Sequence, residues 1–287
     1  MTGPDVRRIC TLVRGSATRD GAGVRLTRVI GGPELEMLDP FLLLDVFRSD
    51  RPDDYVAGFP PHPHRGFETV TLLIHGRMRH RDSAGHEGVI EAGGVQWMTA
   101  GRGIVHSEMP EQEHGLLEGF QLWINLPADH KMLPPAYQEH PAGAIPEESR
   151  PGTRVRVVAG ETTGGTRGPI RQPLTAPLLL DVELRPGAAF GEDIPAGHNA
   201  FVFVFRGQAS VPARDGGTAT IPADHLAILG PGRGVRLEAG EQGARLLLVA
   251  GRPLGEPVVR GGPFVMNTEA ELRQAFDDYR RGRLAQP

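Results

Sequence analysis

Cysteine is nearly absent from this 287-residue chain. Cys10 stands alone, so no intrachain disulfide can brace the fold. No apolar run approaches the roughly 20 residues that a membrane-spanning helix needs. The opening stretch MTGPDVRRICTLV lacks the apolar core of a signal peptide, so a soluble cytoplasmic protein with no membrane partner is expected. No block of Lys or Arg is present and the net charge is only −4, so direct binding to nucleic-acid phosphates is not expected. Helical periodicity is missing almost everywhere, which leaves a β-rich chain.

Glycine (39) and proline (26) are abundant, together roughly twice average usage. They lie between apolar runs such as VTLLI, LLLDV and FVFVF, so they read as turn chemistry between short strands. Strand signals fall at 26–30, 67–74, 89–90, 95–99 and 120–125, then at 155–159, 178–184, 201–205, 219–221, 227–229, 235–238 and 245–250. Such a pattern predicts sandwiches or barrels. One helix is expected over 268–281, where Thr268 and Glu271 form a capping box and Leu272, Ala275, Phe276 and Tyr279 share a face. The proline-rich stretch 126–151 reads as a connection. The chain divides into an N-terminal domain (1–135), a linker (136–152) and a C-terminal domain with the helix (153–287).

The two halves echo each other. FETVTLLIHG (Phe67–Gly76) aligns with HNAFVFVFRG (His198–Gly207), and AGRG (Ala100–Gly103) aligns with PGRG (Pro231–Gly234). The interval from one landmark to the next is 27 residues in both halves. This is the mark of an internal duplication, two related β-barrels in one chain.

Histidines carry the chemistry. Side chains two apart on a strand share a face, so His62 and His64 can aim at one point. His106 and Glu108, in GRGIVHSEMP, form a second pair of that kind. Three imidazoles and a carboxylate suit a first-row divalent ion and disfavour Mg or Ca. Glu68 falls four residues after His64 and competes with Glu108 for the carboxylate position; spacing alone does not decide between them. His75, His80, His86 and His114 read as surface or loop residues, and His130 and His140 carry no role.

HxHxxxE followed by a glycine-rich turn and a further His resembles the two motifs of the cupin superfamily. More narrowly, GFPPHPHRGFETVT, QWMTAGRGIVHSEMP, LWINLPADHKMLPPAYQ and EPVVRGGPFVMNTEAELRQAFDDY resemble the pirin family. The resemblance implies an all-β bicupin, two double-stranded β-helix barrels with a short C-terminal helix. It implies metal only in the N-terminal barrel, with His62, His64, His106 and Glu108 as ligands and Glu68 as a neighbour. Iron, Fe(II), is the expected metal, with Ni, Cu, Co, Mn or Zn tolerated. In the second half, His62 and His64 align with Asp193 and Pro195, and His106 and Glu108 with Leu237 and Ala239. That barrel is expected to be metal-free, with His198 and His225 as core or surface residues.

The activity implied is that of a quercetin 2,3-dioxygenase, acting on a flavonol-like aromatic with O2 and using Glu108 as proton acceptor. An apolar mouth of Phe59, Met98, Ile104 and Trp123 would suit a flat substrate. The alternative is an iron- and redox-dependent regulatory protein that binds a transcription factor or metabolic enzyme, a protein partner that no surface in the sequence marks. A third reading is a metal-binding bicupin with incidental activity.

Overall fold

The computed structural model describes residues 6–213 and 216–286; Met1–Asp5, at the head of the stretch read for a signal peptide, lie outside them. In chain order the strands begin with β1 (Ile9–Arg14), β2 (Ser16–Asp20), β3 (Val24–Ile30), β4 (Phe41–Ser49), β5 (Phe59–His64) and β6 (Phe67–His75). Then come β7 (Arg77–Asp82), β8 (Glu87–Glu91), β9 (Val95–Thr99), β10 (Ile104–Pro110), β11 (Leu117–Asn125) and β12 (Ala136–His140). The second half holds β13 (Glu147–Arg150), β14 (Thr153–Ala159), β15 (Leu178–Leu184), β16 (Ala189–Asp193), β17 (Asn199–Pro212), β18 (Thr218–Pro222), β19 (His225–Leu229) and β20 (Gly234–Gly251). A small ribbon, β21 (Val259–Gly261) and β22 (Phe264–Met266), leads into the helix α1 (Glu269–Arg280).

The first barrel has two sheets. Seven strands run in the order β12-β9-β6-β11-β4-β3-β2, and four run β5-β10-β7-β8. Strands β4, β6 and β11 are buried on both faces along most of their length, which is why their sequences are continuous apolar runs without alternation. The second barrel is one sheet, β1-β19-β17-β20-β15-β14-β13, with β16 on β20 and β18 on β17. There, the 18-residue β20 spans two of the sequence signals, and the 14-residue β17 runs well past the one at 201–205.

Both landmark glycines of the duplication, Gly76 (φ +92°) and Gly207 (φ +67°), hold left-handed backbone that an L side chain strains to adopt. At Gly207 an added Cβ would also collide with the backbone of Gly243.

The chain ends are exchanged relative to a simple split at the linker. One compact unit consists of Ser16–Gly32, Asp39–Ala142 and Leu254–Pro287, the other of Met1–Gly15, Pro33–Leu38 and Gly143–Pro253. Strand pairing explains both exchanges. β1 adds to β19 of the second barrel. Phe264 bridges Arg65, and Arg65 pairs with Asp278 of α1 at 2.9 Å, so the C-terminal segment belongs with the first barrel. The stretch read as a connection is also partly strand, since β12 extends the sheet at β9 and β13 pairs β14. The helix has the expected box: Thr268 Oγ1 accepts from Glu271 N–H, and Glu271 accepts from Thr268 N–H. Leu272 and Ala275 are buried and Phe276 packs beside them, while Tyr279, 42% exposed, meets Phe264 of the same cluster edge-on at 6.2 Å between ring centroids.

Candidate metal centre

β5 and β10 lie antiparallel with His62 directly opposite His106. Since His62 and His64 are two apart, all three imidazoles meet. Their ring centroids are 4.7 Å (His62–His64), 4.5 Å (His62–His106) and 5.0 Å (His64–His106) apart. One nitrogen from each lies within 4.8 Å of the others, close enough to hold one metal ion.

The protonation chemistry fits a cation. His62 Nδ1–H donates to the Pro60 carbonyl at 2.9 Å, which leaves Nε2 for the centre. His64 and His106 are each 2% exposed, and neither ring nitrogen of either has a well-formed hydrogen bond. A buried polar atom without a partner is costly, and a metal ion would satisfy it. Burial pushes His106 down to about 4, with the Glu108 charge opposing. Burial also pushes His64 well below its ordinary value, helped by the two neighbouring imidazoles and opposed by the Pro263 backbone. Both rings are therefore neutral near pH 7, with lone pairs available to a metal.

Glu108 lies past a register shift in the β5–β10 ladder. It is 1% exposed and close enough for its charge to act on His106. Thr71 Oγ1 donates to its Oε1 at 3.0 Å and Gln121 Nε2 donates to its Oε2 at 2.8 Å. The cluster of mutually close donor atoms contains the three histidines and not Glu108.

Glu68 does not neighbour the centre. The chain turns at Arg65–Gly66 between β5 and β6, with Gly66 at φ +90°, so the alternation restarts there. On β6, Phe67 touches His64 (5.1 Å between centroids) and Thr71 reaches Glu108, so the odd-numbered side chains face the site. Glu68 points to the other face, where Thr99 Oγ1 donates to it at 2.7 Å. The count of four from His64 fails because it runs across that turn.

A cleft of about 670 Å³ opens beside His62 and His64. Phe59 and Trp123 are in its wall, as the sequence led one to expect; Met98 and Ile104 instead pack with Ala100 in a separate buried cluster. Trp123 stands 5.2 Å from His64 between ring centroids, and the Arg260 guanidinium lies 5.0 Å from the centre of its indole ring. Arg28, also in the cleft wall, forks onto Asp45 at 2.9 and 2.7 Å and reaches Asp20.

Sequence reasoning missed a polar row across the large sheet. Arg28 faces Asp45, Asp45 faces Gln121, Gln121 faces Thr71, Thr71 faces Gln96 and Gln96 faces Glu139. The available signal was a polar residue set within an apolar strand: Asp45 in FLLLDVF, Thr71 in FETVTLLIH, Gln96 in VQWMT and Gln121 in GFQLWIN. His80 also differs from expectation. It is buried, with Nε2 against Glu139 at 3.1 Å, whereas His75, His86 and His114 are exposed.

Comparison with known proteins agrees with this geometry. Residues 23–124 match the pirin family, and residues 179–285 match the pirin C-terminal cupin domain. A pirin-like protein of Caulobacter vibrioides is 53% identical over 280 residues, covering 97% of this chain and 99% of the relative. Human pirin is 43% identical, covering 96% of this chain and 93% of the relative. The crystal structure of a quercetin 2,3-dioxygenase from Acinetobacter baumannii superposes with a TM-score of 0.88 at 34% identity, covering 97% of this chain and 98% of the other. No helix among the described residues is long and apolar enough to cross a membrane.

Proposed function

The chain belongs to the pirin family, and from that premise we propose that its first barrel is a mononuclear metal dioxygenase site acting on a flavonol-like aromatic with O2. Ring opening incorporates O2 and expels one ring carbon as carbon monoxide, leaving a depside. The observation that carries this reading is the set of three imidazoles, two of them buried and neutral, converging beside an aromatic-walled cleft. The resemblance to the Acinetobacter dioxygenase supports the substrate class.

Each residue has a task. His62, His64, His106 and Glu108 would hold the metal, for which we assign iron(II), with Ni, Cu, Co, Mn and Zn as chemically acceptable substitutes. When bound, the metal supplies Lewis acidity and an open coordination position. Phe59 and Trp123 flank the substrate ring, and the cleft volume lies within the roughly 300–1,000 Å³ of small-molecule sites. Glu108, buried beside His106, takes the proton from the substrate hydroxyl as that oxygen becomes an anion. Positioning substrate and oxidant together supplies the rest of the acceleration.

The test is direct. Protein loaded with iron(II) should bleach the quercetin absorbance band in air, and release carbon monoxide in step. The bleaching should stop without O2, without metal, and in His106→Ala. Absence of turnover with Fe, Ni, Co and Cu alike would remove the dioxygenase reading.

A further inference from the structure

The strand ladders match the two barrels residue by residue across their sheets. In the first, Arg28 on β3 faces Asp45 on β4, Asp45 faces Gln121 on β11, Gln121 faces Thr71 on β6 and Thr71 faces Gln96 on β9. In the second, Val157 on β14 faces Leu180 on β15, Leu180 faces Leu248 on β20, Leu248 faces Val202 on β17 and Val202 faces Ala227 on β19. The duplication sets Thr71 on Val202, so the two rows are equivalent. One is polar throughout; the other lies wholly within the apolar core. The middle of the polar row serves Glu108, through Thr71 and Gln121. Its far end, Arg28 and Asp45, serves no such group and stands in the wall of the cleft.

A largely buried ion pair gives little stability over well-packed apolar side chains. This one also has hydrogen-bonding capacity to spare. Arg28 Nε and Nη2 donate to Asp45 and Nη2 also to Asp20, while Nη1 has no acceptor among the described residues. Asp45 is 6% exposed, and each of its oxygens takes one bond from Arg28 and keeps a further lone pair. Burial pushes its carboxyl up, with Arg28 opposing, so another donor would stabilise its charge. A donor and an acceptor side by side fit a hydroxyl group, which accepts and donates at once. Arg28 lies two strand spacings from Gln121, on the order of 10 Å, so a hydroxyl held there belongs to a ring other than the one reacting beside Glu108. Leu43 and Phe47, two residues either side of Asp45 on β4, share its face and give that ring apolar walls.

We propose that Arg28 and Asp45 set the specificity of the cleft: together they bind a phenolic hydroxyl on the part of the substrate remote from the histidines, and so select polyhydroxylated flavonols over unsubstituted ones. This inference rests on the reading of the cleft as a flavonol site, and deepens it.

The test compares quercetin with 3-hydroxyflavone, which keeps the hydroxyl and carbonyl of the reacting ring and lacks the other hydroxyls. Binding of each to the zinc-loaded full chain is measured by anaerobic titration. Wild type should prefer quercetin by about tenfold or more, the scale of a hydrogen bond to a charged group. Arg28→Val/Asp45→Leu installs the residues of the second barrel and leaves no lone buried charge. Its preference should fall to within about threefold, because only the hydrogen bonds to the charged pair are lost. Its affinity for 3-hydroxyflavone should be kept. Asp45→Asn, which preserves size and one acceptor, should fall between. A purely structural role would lower the melting temperature and weaken both ligands alike, with the ratio unchanged. Equal binding of the two flavonols by wild type overturns the proposal, as does an unchanged ratio in the folded double variant or, should that not fold, in Asp45→Asn. Preference without turnover in air removes the dioxygenase reading alone, turnover without preference removes the present inference alone, and binding of neither flavonol removes both.

Discussion

The two barrels share a plan and differ in what fills them. In the second, one continuous cluster of buried apolar side chains includes Val155, Leu180, Phe190, Val202, Leu237, Leu246 and Ala250. Its buried Asp181, paired with Arg156 and Arg245, alternates with that cluster on β15 and so lies on the other face. In the first barrel the apolar side chains fall into separate clusters, around Phe47 and Leu73, around Phe67 and Trp123, and around Met98. The polar row and the cleft divide them. Counted from Gly103 and Gly234, His106 corresponds to Leu237. Across the ladder His106 faces His62, whereas Leu237 faces Phe190. The lesson is that a barrel can be an open site or a filled core on the same strands, and one opposed pair decides much of it.

The sharpest way to break the comparison is to remove a ligand from one barrel and add one to the other. His106→Ala should lower metal affinity by roughly two orders of magnitude or more and abolish flavonol turnover, since even supporting residues of metal sites cost 10–100-fold. Leu237→His should bring no metal into the second barrel, because Leu237 faces Phe190 within an apolar cluster and a single imidazole there has no second histidine opposite it. Metal content of both purified variants checks the pair.

Next in size is a cavity in the filled barrel. Leu246 is fully buried, so Leu246→Ala should cost about 2–5 kcal/mol in urea unfolding. The folded fraction should still bind one metal with wild-type affinity.

Each barrel also holds a buried cation that donates to backbone carbonyls. In the second it is Arg7, which donates to the Gly230 and Pro195 carbonyls. In the first it is Lys131, the only lysine in the chain, whose Nζ donates to Gly66 O, Asn125 Oδ1 and Val265 O. Lys131→Met should cost about 2 kcal/mol, because three acceptors lose a charged donor. Burial pushes the Lys131 ammonium down to about 8 from 10.5. Below pH 8 both folded and unfolded chains hold it protonated, and the folded chain carries the full burial cost. Between pH 8 and 10.5 the folded chain releases the proton first, so stability rises with pH and then levels. Urea midpoints of wild type and Lys131→Met at pH 7 and 10 should therefore diverge; a constant gap would contradict the buried charge.

How far the sequence reaches can be judged on particular strands. β6 and β15 are plain because their apolar runs end at turns. β5, FPPHPH, hides behind its prolines, which are tolerated because it is the edge of the four-stranded sheet. β7, RMRHRD, has no apolar run, since one of its inward residues is His80. At the site, the three histidines were legible from two-residue spacing alone. Gln121 and Thr71 were not, because a glutamine or threonine in an apolar strand gains meaning only once the register sets it against Glu108. Glu68 misled because a face is counted within a strand and not across a glycine turn.

The smallest effect separates the units by their dynamics. α1 belongs with the first barrel, and its N-terminus is closed by Thr268. Thr268→Ala removes the acceptor of the Glu271 N–H and should cost about 1 kcal/mol. At that scale, backbone amides in the first turns of the helix should exchange with solvent about fivefold faster, since 1 kcal/mol shifts a local opening equilibrium by that factor. Amides of β17 and β20 in the second barrel should exchange at wild-type rates, because no residue of those strands pairs with the helix. Thr268→Ser, which keeps the hydroxyl, should restore the slow exchange. Equal acceleration in both barrels would mean that the helix stabilises the chain as one cooperative whole, and that the contrast between the barrels ends at their interiors.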